Sequence, residues 1–128
     1  MKGLIIGLDF DGTVVKHDFP HIGEDIGAIP VLKSLVSAGH KIVLNTMRSK
    51  KDGTLDAAVN WFVENGIPLA GINSAPGQHR WTDSRKVYAN IYIDDCGLGI
   101  PLLMDEGDTR PYVDWEEVER LLQEMGVL

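Results

Sequence analysis

The stretch Gly3-Leu4-Ile5-Ile6-Gly7-Leu8-Asp9-Phe10-Asp11-Gly12-Thr13-Val14 decides the fold. Its first half is an almost unbroken apolar run, which reads as a strand buried on both faces rather than a half-exposed one. The run stops abruptly at two acids and a glycine. Residues 11–25 then read as a polar loop or small flap. Residues 26–38 carry Ile29, Leu32, Leu35 and Val36 at helical spacing, with Gly39 as the stop. Residues 41–45 form a second buried strand. A polar stretch from Arg48 to Gly53 leads into a second helix over 54–65, with Thr54 as its N-cap, Ala58, Trp61, Phe62 and Asn65 on one side, and Gly66 and Pro68 ending it.

Farther out the pattern continues. Residues 69–72 fit a short strand and 73–85 a polar loop of functional length. Residues 87–93 alternate through Tyr88, Ile91, Tyr92 and Ile93 as a strand that ends in Asp94-Asp95. A short apolar run over 100–104 is followed by an acidic turn. Asp114 then caps a last helix reaching Met125, with Val118, Leu121, Leu122 and Met125 on one face. Strand, helix, strand, helix, strand predicts an α/β domain: a three-layer, Rossmann-like parallel sheet with helices on both faces, spanning residues 1–128 as a single unit. Sheets of this kind bind ligands outside the carboxyl ends of their strands. That is where Asp9 and Asp11, Thr46, and Asp94 and Asp95 fall.

The chain has 128 residues, of which 44% are hydrophobic and 24% charged, an ordinary soluble composition. At this length it can bury roughly two-thirds of its unfolded surface and needs no disulfide or structural metal. Cys96 is the one cysteine, which fits a reducing compartment. The first apolar run is too short for a secretory leader and no window is long enough for a membrane span, so a cytoplasmic protein is expected. Net charge is −7, which argues against a nucleic-acid backbone as the default partner. An anionic substrate would need a local site with a cation.

Asp-Gly is a common turn signal, and it accounts for Asp11 and Gly12 but not for Asp9 at the very end of an apolar strand. Gly12 lets the backbone bend and approach a ligand. Asp94 and Asp95 are adjacent carboxylates that repel unless a proton or cation lies between them. A hard divalent ion with oxygen ligands, such as Mg2+, is the natural partner, although a helix cap would also use such a pair. Asn45-Thr46-Met47-Arg48-Ser49 places a hydroxyl and N–H groups after a strand, suited to an oxyanion or simply to a cap. Lys86 alone reads as a surface charge.

Taken in order, Asp-x-Asp-Gly-Thr, then Thr46, then Lys86, then Asp94-Asp95 resembles the haloacid dehalogenase superfamily, and residues 8–13 match its first motif most closely. The resemblance runs from residue 9 to residue 95. It implies a phosphohydrolase working through an aspartyl-phosphate, with Asp9 as nucleophile. It implies Asp11 as general acid and then base, its backbone carbonyl also serving Mg2+. Thr46 and Lys86 would hold the phosphoryl oxygens, and Asp9, Asp11, Asp94 and Asp95 the cation. Lys86 beside Asp9 would keep that carboxylate ionised.

Many members of that superfamily carry a cap domain. Neither the interval from Thr13 to Lys41 nor that from Thr46 to Lys86 has room for one, so the chain resembles the capless members. An open site admits a phosphorylated small molecule or a macromolecular end, or a neighbouring subunit of a homo-oligomer as lid. Two loops, 15–21 and 78–82, are placed to read substrate. Gly12, Met47, Arg48, Arg80 and Trp81 are the candidate contacts, the arginines for anions and Trp81 for stacking, though loops collect such residues without function. Cys96 reads as a small buried residue rather than a nucleophile. Two other functions compete with hydrolysis: a phospho-accepting receiver-like signalling domain, and an inactive phosphate-binding module on the same fold. Against the receiver, the second strand ends in Asn45-Thr46 rather than in an acid.

Overall fold

Parallel strands buried on both faces must be covered by connections that cross over the sheet, and the order of those crossings sets where a site can form. The computed structural model describes residues 3–128. Met1 and Lys2, at the head of the segment read above against a secretory leader, lie outside the described residues. The elements are β1 (Ile5–Leu8), α1 (Ala28–Ser37), β2 (Lys41–Leu44), α2 (Thr54–Glu64), β3 (Gly71–Ile72), a 3-10 turn (Gln78–Arg80), β4 (Ile91–Ile93), β5 (Leu102–Leu103), β6 (Tyr112–Val113) and α3 (Trp115–Glu124). The main sheet is parallel with order β3-β2-β1-β4. The expected α/β three-layer fold is what the chain adopts. Among the described residues no helix is long and apolar enough to cross a membrane.

From β1 the chain moves outward through α1 to β2 and through α2 to β3, then returns across the sheet to place β4 on the far side of β1. The strand order therefore reverses between β1 and β4, and a crevice opens there beyond the strand ends. Ile6, Leu8, Ile42, Leu44 and Ile93 form one buried core with Leu32 and Leu35 of α1, Phe62 of α2, and Trp115, Val118 and Leu122 of α3. Within it Trp61 meets Phe10 and Phe62 edge-on and Phe10 lies tilted against Phe62, with ring centroids 4.9–6.0 Å apart.

The opposite face is layered differently. Residues 73–90 cross it with a single 3-10 turn in place of a full helix. Gln78 is buried and holds this segment together: its side-chain oxygen accepts from the N–H groups of Ala75 (2.9 Å) and Tyr88 (3.0 Å), and its amide donates to the Lys86 carbonyl at 2.7 Å. Gly7 and Tyr92 are register partners on this face. A Cβ at Gly7 would come within 2.9 Å of the Tyr92 ring, so the ring lies where a side chain would otherwise stand.

Several boundaries differ from the sequence reading. Thr54 is not the N-cap of α2. Gly53 occupies that position at φ 79°, and Asp52 accepts hydrogen bonds from the Thr54 N–H and hydroxyl. The expected strand over 87–93 is paired only from Ile91, because Asn90 turns its side chain onto the Ile5 N–H at the amino end of β1. The run over 100–104 contributes β5, which pairs antiparallel with β6 in a small hairpin. Asp114 does cap α3, accepting from the Glu117 N–H at 3.2 Å.

Phe62 is wholly buried at the centre of the aromatic group. Phe62→Ala should lower unfolding free energy by about 3–5 kcal/mol, read from chemical denaturation with an unchanged m-value. A loss under about 1 kcal/mol would mean that the α2 face collapses onto the space, contrary to the packing described.

Candidate active site

The parallel register brings β1 and β4 to an end at the same level, so the acids that follow them are forced together. The Asp9 N–H donates to the Ile93 carbonyl at 3.0 Å, which continues the ladder past the last paired residue. Asp9, Asp11, Asp94 and Asp95 all line one cavity of about 420 Å3, with Thr46, Met47, Arg48, His17, Phe19, Cys96 and Arg110 around it.

Thr13 holds the centre. Its side chain is fully buried, and its hydroxyl donates to Asp9 Oδ2 at 2.7 Å while accepting from the Asp95 N–H at 3.0 Å. A hydroxyl has one proton to give, so its approach to Asp95 Oδ1 at 3.4 Å is not a second full bond. The other Asp95 oxygen, Oδ2, meets His17 Nε2 at 2.8 Å. The His17 ring lies over Gly12, which has φ 76°, and a Cβ there would collide with the imidazole. Gly12 is thus needed for His17 and for a left-handed turn. Asp94 Oδ1 accepts from the Cys96 N–H at 2.9 Å.

Burial pushes the Asp9 carboxyl up to about 8; the nearby Asp94 and Asp95 charges add to this, and the Thr13 hydroxyl opposes it. Burial is the strongest single influence on Asp95 and works against its charge, but the hydrogen bonds with His17, Asp9 and Asp94 together hold Asp95 below the usual carboxylate range. Crowded carboxylates of this kind share either a proton or a cation. Asp94, Asp95 and Cys96 place one ligand atom each within 4.8 Å of the others. Cys96 is exposed, contrary to the expectation of a buried residue, because the chain turns outward past the strand end. The Asp95 charge above all raises its thiol pKa, so it is not an activated nucleophile.

Arg48 does not face the cavity as a free anion contact. Its side chain is 1% exposed and sits between the rings of Phe10 and Phe19. Nε donates to Asp11 Oδ2 (2.8 Å) and one terminal nitrogen to Asp11 Oδ1 and the His21 carbonyl (both 2.7 Å). The other terminal nitrogen donates to the carbonyls of Thr54 (3.2 Å) and Pro20 (3.3 Å). A guanidinium has five N–H groups, so all are engaged. Arg48 instead locks Asp11 and the 19–21 loop to the start of α2.

Thr46 is held at the cavity edge, its N–H donating to Asn73 Oδ1 at 2.9 Å and its hydroxyl accepting from the Arg48 N–H at 3.1 Å. Met47 stands fully in solvent. Lys86 is not brought to the acids: its ammonium lies 5.8 Å from the Tyr92 ring centre, and with Trp81 it lines a different hollow. The expectation that Lys86 ionises Asp9 fails, because residues 86–90 lead to the amino end of the sheet. Trp81 packs edge-on against Tyr88, 5.8 Å between centroids, and Arg80 stands exposed beside it. Neither reaches the acid cavity.

Residues that carried no individual role in the sequence complete the site. Thr13, His17, Asn73 and Arg110 acquire theirs only through contacts across the fold. Of these, Thr13 belongs to the first motif, His17 to the 15–21 loop and Asn73 to the polar loop 73–85, while Arg110 lies in a segment that carries no motif.

No protein-family model matches the chain, and no curated protein matches it. A solved structure does: that of a conserved protein coded by a locus of Bacteroides thetaiotaomicron, 32% identical, with 97% of this chain and 93% of that one covered and a TM-score of 0.78.

The raised Asp9 gives a measurable stability signature when divalent cations are chelated. The unfolded carboxyl loses its proton near 3.8 and the folded one near 8. Between those values the folded state holds the extra proton, so stability should fall as pH rises. Thermal denaturation in chelator from pH 5 to 9 should show this fall in the wild type and a flatter profile in Asp9→Asn. Equal slopes in the two proteins would contradict the burial described.

Proposed function

The chain belongs to the same family as this conserved Bacteroides thetaiotaomicron protein, and from its acidic strand ends we propose that it is a Mg2+-dependent phosphohydrolase of the haloacid dehalogenase type. The observation that carries the reading is the convergence of Asp9, Asp11, Asp94 and Asp95 on one cavity at the carboxyl ends of β1 and β4. The donor set fits a hard cation, since its carboxylates are oxygen ligands. Asp9, Asp94 and Asp95 would hold the ion, with the Asp11 carbonyl, and once bound it would take the place of the shared proton and offset the charge of a phosphoryl group.

Asp9 is the nucleophile in this scheme. One of its carboxylate oxygens forms a bond to phosphorus as the bond to the leaving oxygen breaks, and the leaving oxygen takes a proton. Water then attacks phosphorus, the Asp9 oxygen regains its electron pair, and inorganic phosphate departs. The 2.7 Å bond from Thr13 fixes one Asp9 oxygen, which leaves the other for attack. Asp11 carries the proton to and from the reacting oxygens. Each of its oxygens accepts one N–H from Arg48 and keeps a second lone pair for the proton, so the Arg48 bonds orient Asp11 for that role. Thr46, at the cavity edge, offers its hydroxyl to a phosphoryl oxygen. Met47 and Phe19 are exposed rim residues, and they leave the cavity mouth open to a bulky phosphate ester.

Hydrolysis of p-nitrophenyl phosphate should depend on Mg2+, stop in chelator, and fall to background in Asp9→Asn while that variant stays folded. An Asp9→Asn protein that keeps Mg2+-dependent turnover would rule out the aspartyl-phosphate route.

A further inference from the structure

Phosphoryl transfer between anions needs a positive side chain at the reacting group, worth several kcal/mol in a sheltered site. Lys86, the residue that the sequence resemblance put there, lines a different hollow. Among the described residues that line the acid cavity, the arginines are Arg48 and Arg110. Every donor of Arg48 is engaged. Arg110 is different: its side chain is 57% exposed and its nearest acid, Asp95 Oδ2, lies 4.0 Å away. A guanidinium is always charged and can grip two phosphoryl oxygens at once.

The hairpin that carries Arg110 is fastened to the loop of the nucleophile at several independent points. The Val113 N–H donates to the Gly12 carbonyl at 3.0 Å. Trp115 Nε1 donates to the Thr13 carbonyl at 2.6 Å. Lys16 pairs with Asp105 at 2.8 Å and Asp108 at 3.1 Å, and its ammonium lies over the Tyr112 ring. Tyr112 in turn donates its hydroxyl to Asp105 Oδ1 at 2.8 Å. The base of the Arg110 side chain is therefore fixed relative to Asp9, while its largely exposed charged end meets Asp95 only at 4.0 Å.

We propose that Arg110, delivered by the β5–β6 hairpin, is the cationic residue that meets the phosphoryl oxygens of the substrate in place of Lys86. This rests on the phosphohydrolase reading above. It assigns a catalytic contact to a part of the chain that carries no motif.

Mg2+-dependent hydrolysis of p-nitrophenyl phosphate by wild type, Arg110→Ala, Arg110→Lys and Lys86→Ala tests it, with orthovanadate inhibition measured alongside. Arg110→Ala should lose about a hundredfold in kcat/KM and bind orthovanadate more weakly. Arg110→Lys should recover part of the loss, and added guanidinium ion should raise the rate of Arg110→Ala but not of Asp9→Asn. A folded Arg110→Ala protein that loses less than tenfold overturns the inference whatever Lys86→Ala does, and leaves the phosphohydrolase reading standing. A folded wild type with no Mg2+-dependent turnover overturns that reading and this inference with it. Should Arg110→Ala not fold, Arg110→Gln, which keeps the aliphatic stem without the charge, answers the same question by the same thresholds.

Discussion

Carboxylates at the ends of adjacent parallel strands repel one another, and the site depends on how that repulsion is managed. The Thr13 hydroxyl, buried between Asp9 and the Asp95 backbone, is the pivot. It gives its proton to one strand end and accepts one from the other. For it to reach that point the chain must curl tightly after Phe10, and Gly12 supplies the left-handed turn. The curl brings His17 back over Gly12 to Asp95. It also turns the carbonyls of Gly12 and Thr13 outward, where Val113 and Trp115 take them up. One hydroxyl thus couples the central strand, its neighbour and the C-terminal hairpin.

The layers were legible because burial leaves a period in sequence. β1 and β2 are continuous apolar runs, and α1, α2 and α3 repeat their apolar residues each turn. What lacked a period went unread. β5 and β6 have two residues each, too few to show alternation. The segment 73–90 reads as loop and is loop, yet it covers a sheet face because Gln78 satisfies its backbone from within. The acids of the site were legible by their place after apolar strands. The roles of the basic residues were not. Arg48 follows β2 much as an anion ligand would, and only the tertiary fold supplies the acceptors that occupy all its donors. Lys86 sits at the right place in the order of motifs and at the wrong end of the sheet, because sequence spacing does not record that residues 86–90 precede the first paired residue of β4.

The acidic balance of the chain takes on a local form at the cavity. Arg48 is matched by Asp11, and Asp95 is hydrogen-bonded to His17, while burial raises the Asp9 carboxyl so that it favours its proton when no cation replaces it. A phosphate ester approaching the mouth therefore meets few uncommitted positive groups. That makes the position of each remaining one consequential for what binds, and a shift of the hairpin by an ångström would matter more here than a change in overall net charge.

The joins between the hairpin and the nucleophile loop also bear on how the molecule is made. Thr13 and the indole that donates to its carbonyl are 102 residues apart in sequence, and Thr13 and Asp95 are 82 apart. Closures that long are slow to form, and they cannot form on the ribosome until residues 95 and 115 have emerged. The first strand and its acids are synthesised early, then wait. During synthesis the early segments can collapse around Phe10 and Phe62 long before the acids acquire their partners. The site thus rests on contacts that no early segment can make by itself.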